Sequence, residues 1–128
     1  MPDMDLSKLK TLIVDDMSSM RMMIKSVLRE NGIVDVVEAA DGEKAAEILE
    51  KNRFQLIICD WDMPNMNGLE FLQHVRAEPS LGQMPFIMLT ANADRDHVAQ
   101  AIEAGVNDYL TKPFKPADLM RKVSRIVR

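Results

Sequence analysis

Two hydrophobic periodicities alternate along this chain, and the alternation limits the folds open to it. Short apolar or β-branched runs fall at Thr11–Val14, Val34–Val37, Gln55–Cys59, Phe86–Leu89 and Tyr109–Leu110. Each is about the length of a strand. The segments between them have helical period. Met20, Met23, Ile24, Val27 and Leu28 follow the i, i+3, i+4, i+7, i+8 spacing of one buried helix face. Arg21, Lys25 and Arg29 fall off that stripe and read as solvated. Ala45, Ala46, Ile48 and Leu49 predict a second helix, and Leu69, Leu72 and Val75 a third. Val98, Ala101 and Ile102 predict a fourth, and Leu119, Met120, Val123, Ile126 and Val127 a fifth.

The punctuation agrees. Asn31-Gly32 and Ala104-Gly105 read as helix ends, where glycine takes a left-handed cap without steric cost. Asp41-Gly42 and Asn67-Gly68 read as helix starts, and Pro79 and Pro85 bracket a loop before the fourth strand. Five strands alternating with five helices predict right-handed βαβ units and a parallel sheet covered on both faces. Leu12–Val14 and Leu56–Cys59 are nearly continuous apolar runs, as strands buried on both sides should be. A length of 128 residues suits one domain over 1–128 with a self-sufficient core.

Composition closes some function classes. A net charge of −4 argues against nucleic acid or an anionic membrane as the main partner. The single cysteine, Cys59, cannot form an internal disulfide. Met1 to Lys10 holds no apolar signal core, and no apolar run approaches the roughly 20 residues of a membrane span. A cytoplasmic protein is expected. The eleven methionines read as adaptable core filler.

In open α/β sheets, ligands sit beyond the carboxyl ends of the strands. The first strand ends in Asp15-Asp16, the third in Asp60 with Asp62 two residues on, and the fourth in Thr90-Ala91. Lys112-Pro113 follows the fifth. Two like charges about 5 Å apart repel by roughly 3 kcal/mol at an effective dielectric of about 20. Asp15, Asp16 and Asp60 together therefore call for Lys112, a divalent cation or a protonated carboxyl. Hard oxygen ligands without histidine or cysteine fit magnesium better than zinc. A carboxylate can act as nucleophile and form an aspartyl phosphate, with a metal and a lysine neutralising the phosphoryl oxygens. A threonine hydroxyl can bond one of those oxygens.

Asp15-Asp16, Asp60, Thr90 and Lys112-Pro113-Phe114 stand at the spacing of response-regulator receiver domains, and the chain resembles that family from end to end. The stretch from Asp60 to Glu70 is similar to the single-domain chemotaxis members. The resemblance implies a flavodoxin-like, doubly wound, five-stranded parallel sheet of order 2-1-3-4-5 with five helices. It implies Asp60 as phosphoacceptor. Asp16, Asp60 and the backbone carbonyl of Asp62 would hold Mg2+, with Asp15 acting mainly through water. Lys112 would pair with the phosphoryl group. Thr90 would move toward that group, and Tyr109 would turn into the space released. It also implies a cis Lys112-Pro113 bond, with Met63-Pro64 and Gly68 shaping the loop beside the metal.

The implied output face is the fourth helix, fifth strand and fifth helix, with Val98, Tyr109 and Lys122 on it; for Val98, plain core packing is the rival reading. The implied partners are a histidine kinase of the chemotaxis type and the flagellar motor switch protein or another protein target, with a separate phosphatase left open. A monomer is the default. The chain is expected to promote its own phosphorylation and dephosphorylation rather than to be a conventional enzyme. A phosphorelay intermediate, or a regulator of a non-flagellar target, is the main alternative. A haloacid-dehalogenase-type phosphatase is distant, because Thr90-Ala91-Asn92 stands where its further acidic motif belongs. A flavodoxin is disfavoured because Asp15-Asp16 would repel a phosphate. Two departures are notable: chemotaxis receivers often carry Asn in place of Asp62 and Glu in place of Asn92. Both positions lie near the attacking-water path in the family, so an altered dephosphorylation rate is expected, and tighter metal binding from the Asp62 charge. His74 and His97 read as surface residues, and Trp61 as core or as a flank of the site.

Overall fold

The computed structural model describes residues 6–92 and 94–126. A short 3-10 turn, Leu6–Lys8, leads into β1 (Lys10–Val14), α1 (Ser18–Glu30), β2 (Asp35–Ala39), α2 (Gly42–Lys51) and β3 (Leu56–Asp60). Then come α3 (Gly68–Ala77), β4 (Phe86–Thr90), α4 (Arg95–Glu103), β5 (Asp108–Thr111) and α5 (Pro116–Ile126). All strand pairs are parallel, in the order β2-β1-β3-β4-β5. This is the expected doubly wound sheet with five helices.

The apolar strands divide their residues between two cores, because successive side chains point to opposite faces. Leu12, Val14, Ile57, Cys59, Phe86 and Met88 face one core. It is closed by Ala45 and Leu49 of α2, by Phe71, Leu72 and Val75 of α3, and by Ala101 of α4. Ile13, Leu56, Ile58, Ile87 and Leu89 face the other, closed by Ile24, Val27 and Leu28 of α1 and Leu119 and Val123 of α5. The central strands β3 and β4 are buried at every position. Their ends are therefore held on both sides, which fixes what projects beyond them.

The caps fall where the sequence puts them. Gly32 and Gly105 take φ of +90° and +94° after α1 and α4. Asp41 accepts from Lys44 N at the start of α2. Asn67 and Glu70 form a reciprocal capping box on α3.

Several readings change: β3 begins at Leu56 rather than Gln55, and Lys25, read as solvated, pairs with Glu38 at 3.5 Å. β2 begins at Asp35 rather than Val34, which is 56% exposed; on this edge strand the apolar run does not mark the pairing frame. Ile102 is 62% exposed, so α4 buries little beyond Ala101. Arg21 is not solvated: its side chain is only 18% exposed and ion-paired with Glu38. Among the methionines, Met63, Met84 and Met88 fill core as expected, whereas Met22 is 70% exposed. Val127 and the first five residues lie outside the described residues.

Candidate functional site

The ends of β1, β3, β4 and β5 meet at one edge of the sheet. Asp15 follows β1 directly, and its N–H donates to Ala39 O at 3.1 Å, extending the ladder by one bond. Its Oδ1 accepts from Met17 N at 2.9 Å, which turns the chain toward α1. Asp60 is the last residue of β3, and Trp61 N donates to Leu89 O at 2.8 Å just beyond it. Gly68 then brings the start of α3 against this strand end: its N–H donates to Trp61 O at 2.8 Å. A Cβ on Gly68 would collide with the Asp60 carbonyl, Trp61 Cα and Met88 Sδ. In the intervening loop Met63 is buried and Asn65 takes a φ of +67°, a conformation asparagine tolerates.

Lys112 follows β5. Its N–H donates to Thr90 O at 2.8 Å, and the Lys112-Pro113 bond is cis. Its Nζ lies 3.0 Å from Asp60 Oδ1 and 3.4 Å from Asp15 Oδ2. Carboxylate oxygens of Asp15, Asp16 and Asp60 all lie within 4.8 Å of one another. Asp15 and Asp60 are buried, while Asp16 is exposed.

Burial pushes the Asp60 carboxyl above its usual value of 3.8, and the Asp15 charge adds to this; Lys112 and the Asp62 backbone N–H pull the other way. Burial also works against the Lys112 ammonium, but Asp60 and Asp15 outweigh it and hold its pKa above the usual value. One cation thus sits among three carboxylates. Asp60 Oδ1 is buried and lacks an aligned hydrogen bond among the described residues; its contact with Lys112 is an ion pair without hydrogen-bond alignment. A clustered, all-oxygen donor set of three carboxylates served by one ammonium fits a hard divalent cation such as magnesium.

Thr90 completes the edge. Its buried hydroxyl donates to Asn92 O at 3.0 Å and accepts from Asn92 N at 2.9 Å, a closed local turn. Behind it lies a cleft of about 10 Å³, lined by Trp61, Met88, Thr90, His97, Val98, Ala101 and Tyr109.

A comparison with known families matches residues 11–124 to the response regulator receiver domain. The chain belongs to the response regulator receiver family. Chemotaxis protein CheY-3 of Vibrio cholerae is 42% identical over 118 residues, 92% of this chain and 91% of that one. Among solved structures, CheY4 of Vibrio cholerae superposes with a TM-score of 0.87 at 36% identity, covering 92% of this chain and 98% of its own. The receiver domain of a sensor histidine kinase from Pseudomonas aeruginosa, with a magnesium ion coordinated in its active-site cleft, gives 0.84 at 34%, covering 93% and 97%. The fold is the flavodoxin-like one that these receivers share.

Most of the expected site of this receiver converges: Asp15, Asp16, Asp60 and Lys112 in one cluster, with Thr90 hydrogen-bonded to Lys112 through its backbone carbonyl. The exposed side chain of Asp62 is not part of the three-carboxylate set. Val98 and Tyr109 are half-buried along the cleft. Lys122 is not a free surface charge: its Nζ lies 3.0 Å from Asp108 Oδ1 and 6.0 Å from the Tyr109 ring centroid. Trp61 is buried, and His97 packs edge-on against it at 4.9 Å while its Nδ1 contacts Asp94 Oδ1 at 3.0 Å. Sequence reasoning missed that pairing. The one available signal was the Asp94–His97 spacing of a helix cap. Burial above all, and then the two aspartates, push the Cys59 thiol well up, leaving it an inert core group.

Proposed function

We propose that this receiver takes a phosphoryl group on Asp60 from the phosphohistidine of a chemotaxis-type histidine kinase and so changes the face made by α4, β5 and α5. One atom carries the reading. Asp60 Oδ1 is buried at a strand end, ion-paired to Lys112 and without an aligned hydrogen bond. Three clustered carboxylates share one ammonium here, and Asp60 sets its oxygen beside that cation, where added phosphoryl charge can be offset.

In the transfer, an Asp60 oxygen attacks phosphorus, the bond from phosphorus to the donor imidazole nitrogen breaks, and that nitrogen takes up a proton. Asp15, Asp16 and Asp60 would hold magnesium, with the Asp62 backbone carbonyl as a further ligand. When bound, that ion supplies electrostatic stabilisation of charge on the phosphoryl oxygens. Lys112, already 3.0 Å from Asp60, stays beside the incoming group and offsets the added charge. The chain thus promotes its own modification rather than turning over a separate ester.

The switch follows from donor counting. The Thr90 hydroxyl has one proton, now given to Asn92 O. A phosphoryl oxygen can recruit it only by opening that turn. The cleft behind Thr90, at about 10 Å³, has room for one water at most and none for a phenol. Tyr109 therefore turns inward only after Thr90 moves, which couples the acceptor to the face carrying Val98, Tyr109 and Lys122. The likeness to a named chemotaxis protein supports a flagellar motor switch protein as the target and a cytoplasmic setting.

The test follows Trp61 fluorescence and intact mass while magnesium and then acetyl phosphate are added, with Asp60→Asn as control. A magnesium response, then a phosphoryl mass gain absent from the control, is the expected result. Equal mass gain in both proteins would place the acceptor elsewhere.

A further inference from the structure

The carboxylates of the site differ in how they are held. Asp15 is tied by Met17 N at 2.9 Å and by Lys112 at 3.4 Å. The exposed Asp16 has no side-chain hydrogen bond or ion pair among the described residues. Its position depends on the backbone that carries it, and the peptide joining Asp15 to Asp16 is gripped from one side. Arg21 Nη1 donates to Asp15 O at 2.7 Å. Its Nε donates to Glu38 Oε1 at 3.1 Å, and Lys25 lies 3.5 Å from the other Glu38 oxygen. The Arg21 side chain is only 18% exposed. Glu38, on the neighbouring strand β2, thus aims a rigid fork at the carbonyl between the two aspartates.

We infer that Arg21, braced by Glu38, is a positioning residue that orients the Asp15–Asp16 peptide and thereby presents Asp16 to the magnesium ion. The inference rests on the magnesium reading of the site and adds to it the group that sets its affinity. Outer partners that orient metal ligands typically alter affinity by about ten- to a hundredfold when lost. Charge and position make opposite predictions here. A guanidinium beside the cluster repels a dication, so deleting it for charge alone tightens binding. Deleting it as an orienting group weakens binding.

Magnesium chloride is titrated into the full chain and into Arg21→Met, Arg21→Lys and Glu38→Gln, followed by calorimetry and Trp61 fluorescence, with urea unfolding on each. The expected result is affinity about tenfold weaker in Arg21→Met. Arg21→Lys, which keeps the charge but loses the fork and serves as the test if Arg21→Met fails to fold, should still bind a few-fold more weakly than the unaltered chain, and Glu38→Gln should weaken binding further than its lost charge alone by freeing Arg21. Equal or tighter binding by a folded Arg21→Met, or by Arg21→Lys where Arg21→Met does not fold, overturns the inference and leaves the magnesium site standing. No binding by the unaltered chain overturns both.

Discussion

The ends of β1 and β4 lie on one sheet edge but are built differently. At the end of β1, Asp15 has one local bond, from Met17 N, but its other polar groups go to distant partners: its N–H to Ala39, its Oδ2 to Lys112 and its carbonyl to Arg21. At the end of β4, Thr90 spends its hydroxyl on a residue two positions away. The first arrangement is fixed by the whole fold. The second is a local turn that a competing acceptor can open. The half proposed to accept the phosphoryl group is therefore preorganised, and the half proposed to respond is held only by bonds worth about 1 kcal/mol each.

The sharpest challenge to this contrast is Asp60→Asn, which should abolish the phosphoryl mass gain; retained labelling would mean the preorganised cluster is not the acceptor. Next in size is Lys112→Met. It removes the cation between Asp15 and Asp60 and should cost about 2–3 kcal/mol in urea unfolding without metal, less than a fully buried pair because Lys112 is partly exposed. The loss should shrink when combined with Asp60→Asn. A full-sized loss in the double variant would mean that Lys112 acts through packing alone. Gly68→Ala should cost about 2 kcal/mol by overpacking at the Asp60 carbonyl, read from the same unfolding curves.

Thr90→Ala should cost about 1 kcal/mol and keep phosphoryl acceptance, but lose the phosphorylation-dependent change in Tyr109 seen by NMR. If acceptance fails as well, the two halves are not separable. The smallest effect is in pH. The folded Asp60 carboxyl holds its proton more tightly than the unfolded one, whose value is near 3.8. That contribution to stability is fully present below pH 3.8 and is lost as pH rises through the folded value. Without metal, the urea midpoint of Asp60→Asn should gain on that of the unaltered chain through this window. A constant difference across it would show that burial does not raise the Asp60 carboxyl in the folded chain.

Much of the fold was legible because local pattern and global burial agree. The continuous runs in β1, β3 and β4 are buried on both faces. Legibility failed at the periphery. Val34 reads as strand and Ile102 as core, yet both are exposed, because an edge strand and a lightly packed helix leave apolar positions without a covering layer. Arg21 reads as solvated because its partners, Asp15 O and Glu38, are not on its own helix.

By itself the sequence determined that strands alternate with helices, and hence that Asp15, Asp16, Asp60, Thr90 and Lys112 end on one edge: right-handed crossovers send every parallel strand the same way. Only the tertiary structure decided which donors serve which acceptors. It gave Lys112 to Asp60 and Asp15, turned Thr90 to Asn92, bound Lys122 to Asp108 and set Arg21 on the Asp15 carbonyl. Periodicity reports which face a residue occupies. Hydrogen-bond partnership among several candidates is settled by distances of a few ångströms between elements far apart in the chain, and one chain's pattern does not encode those distances.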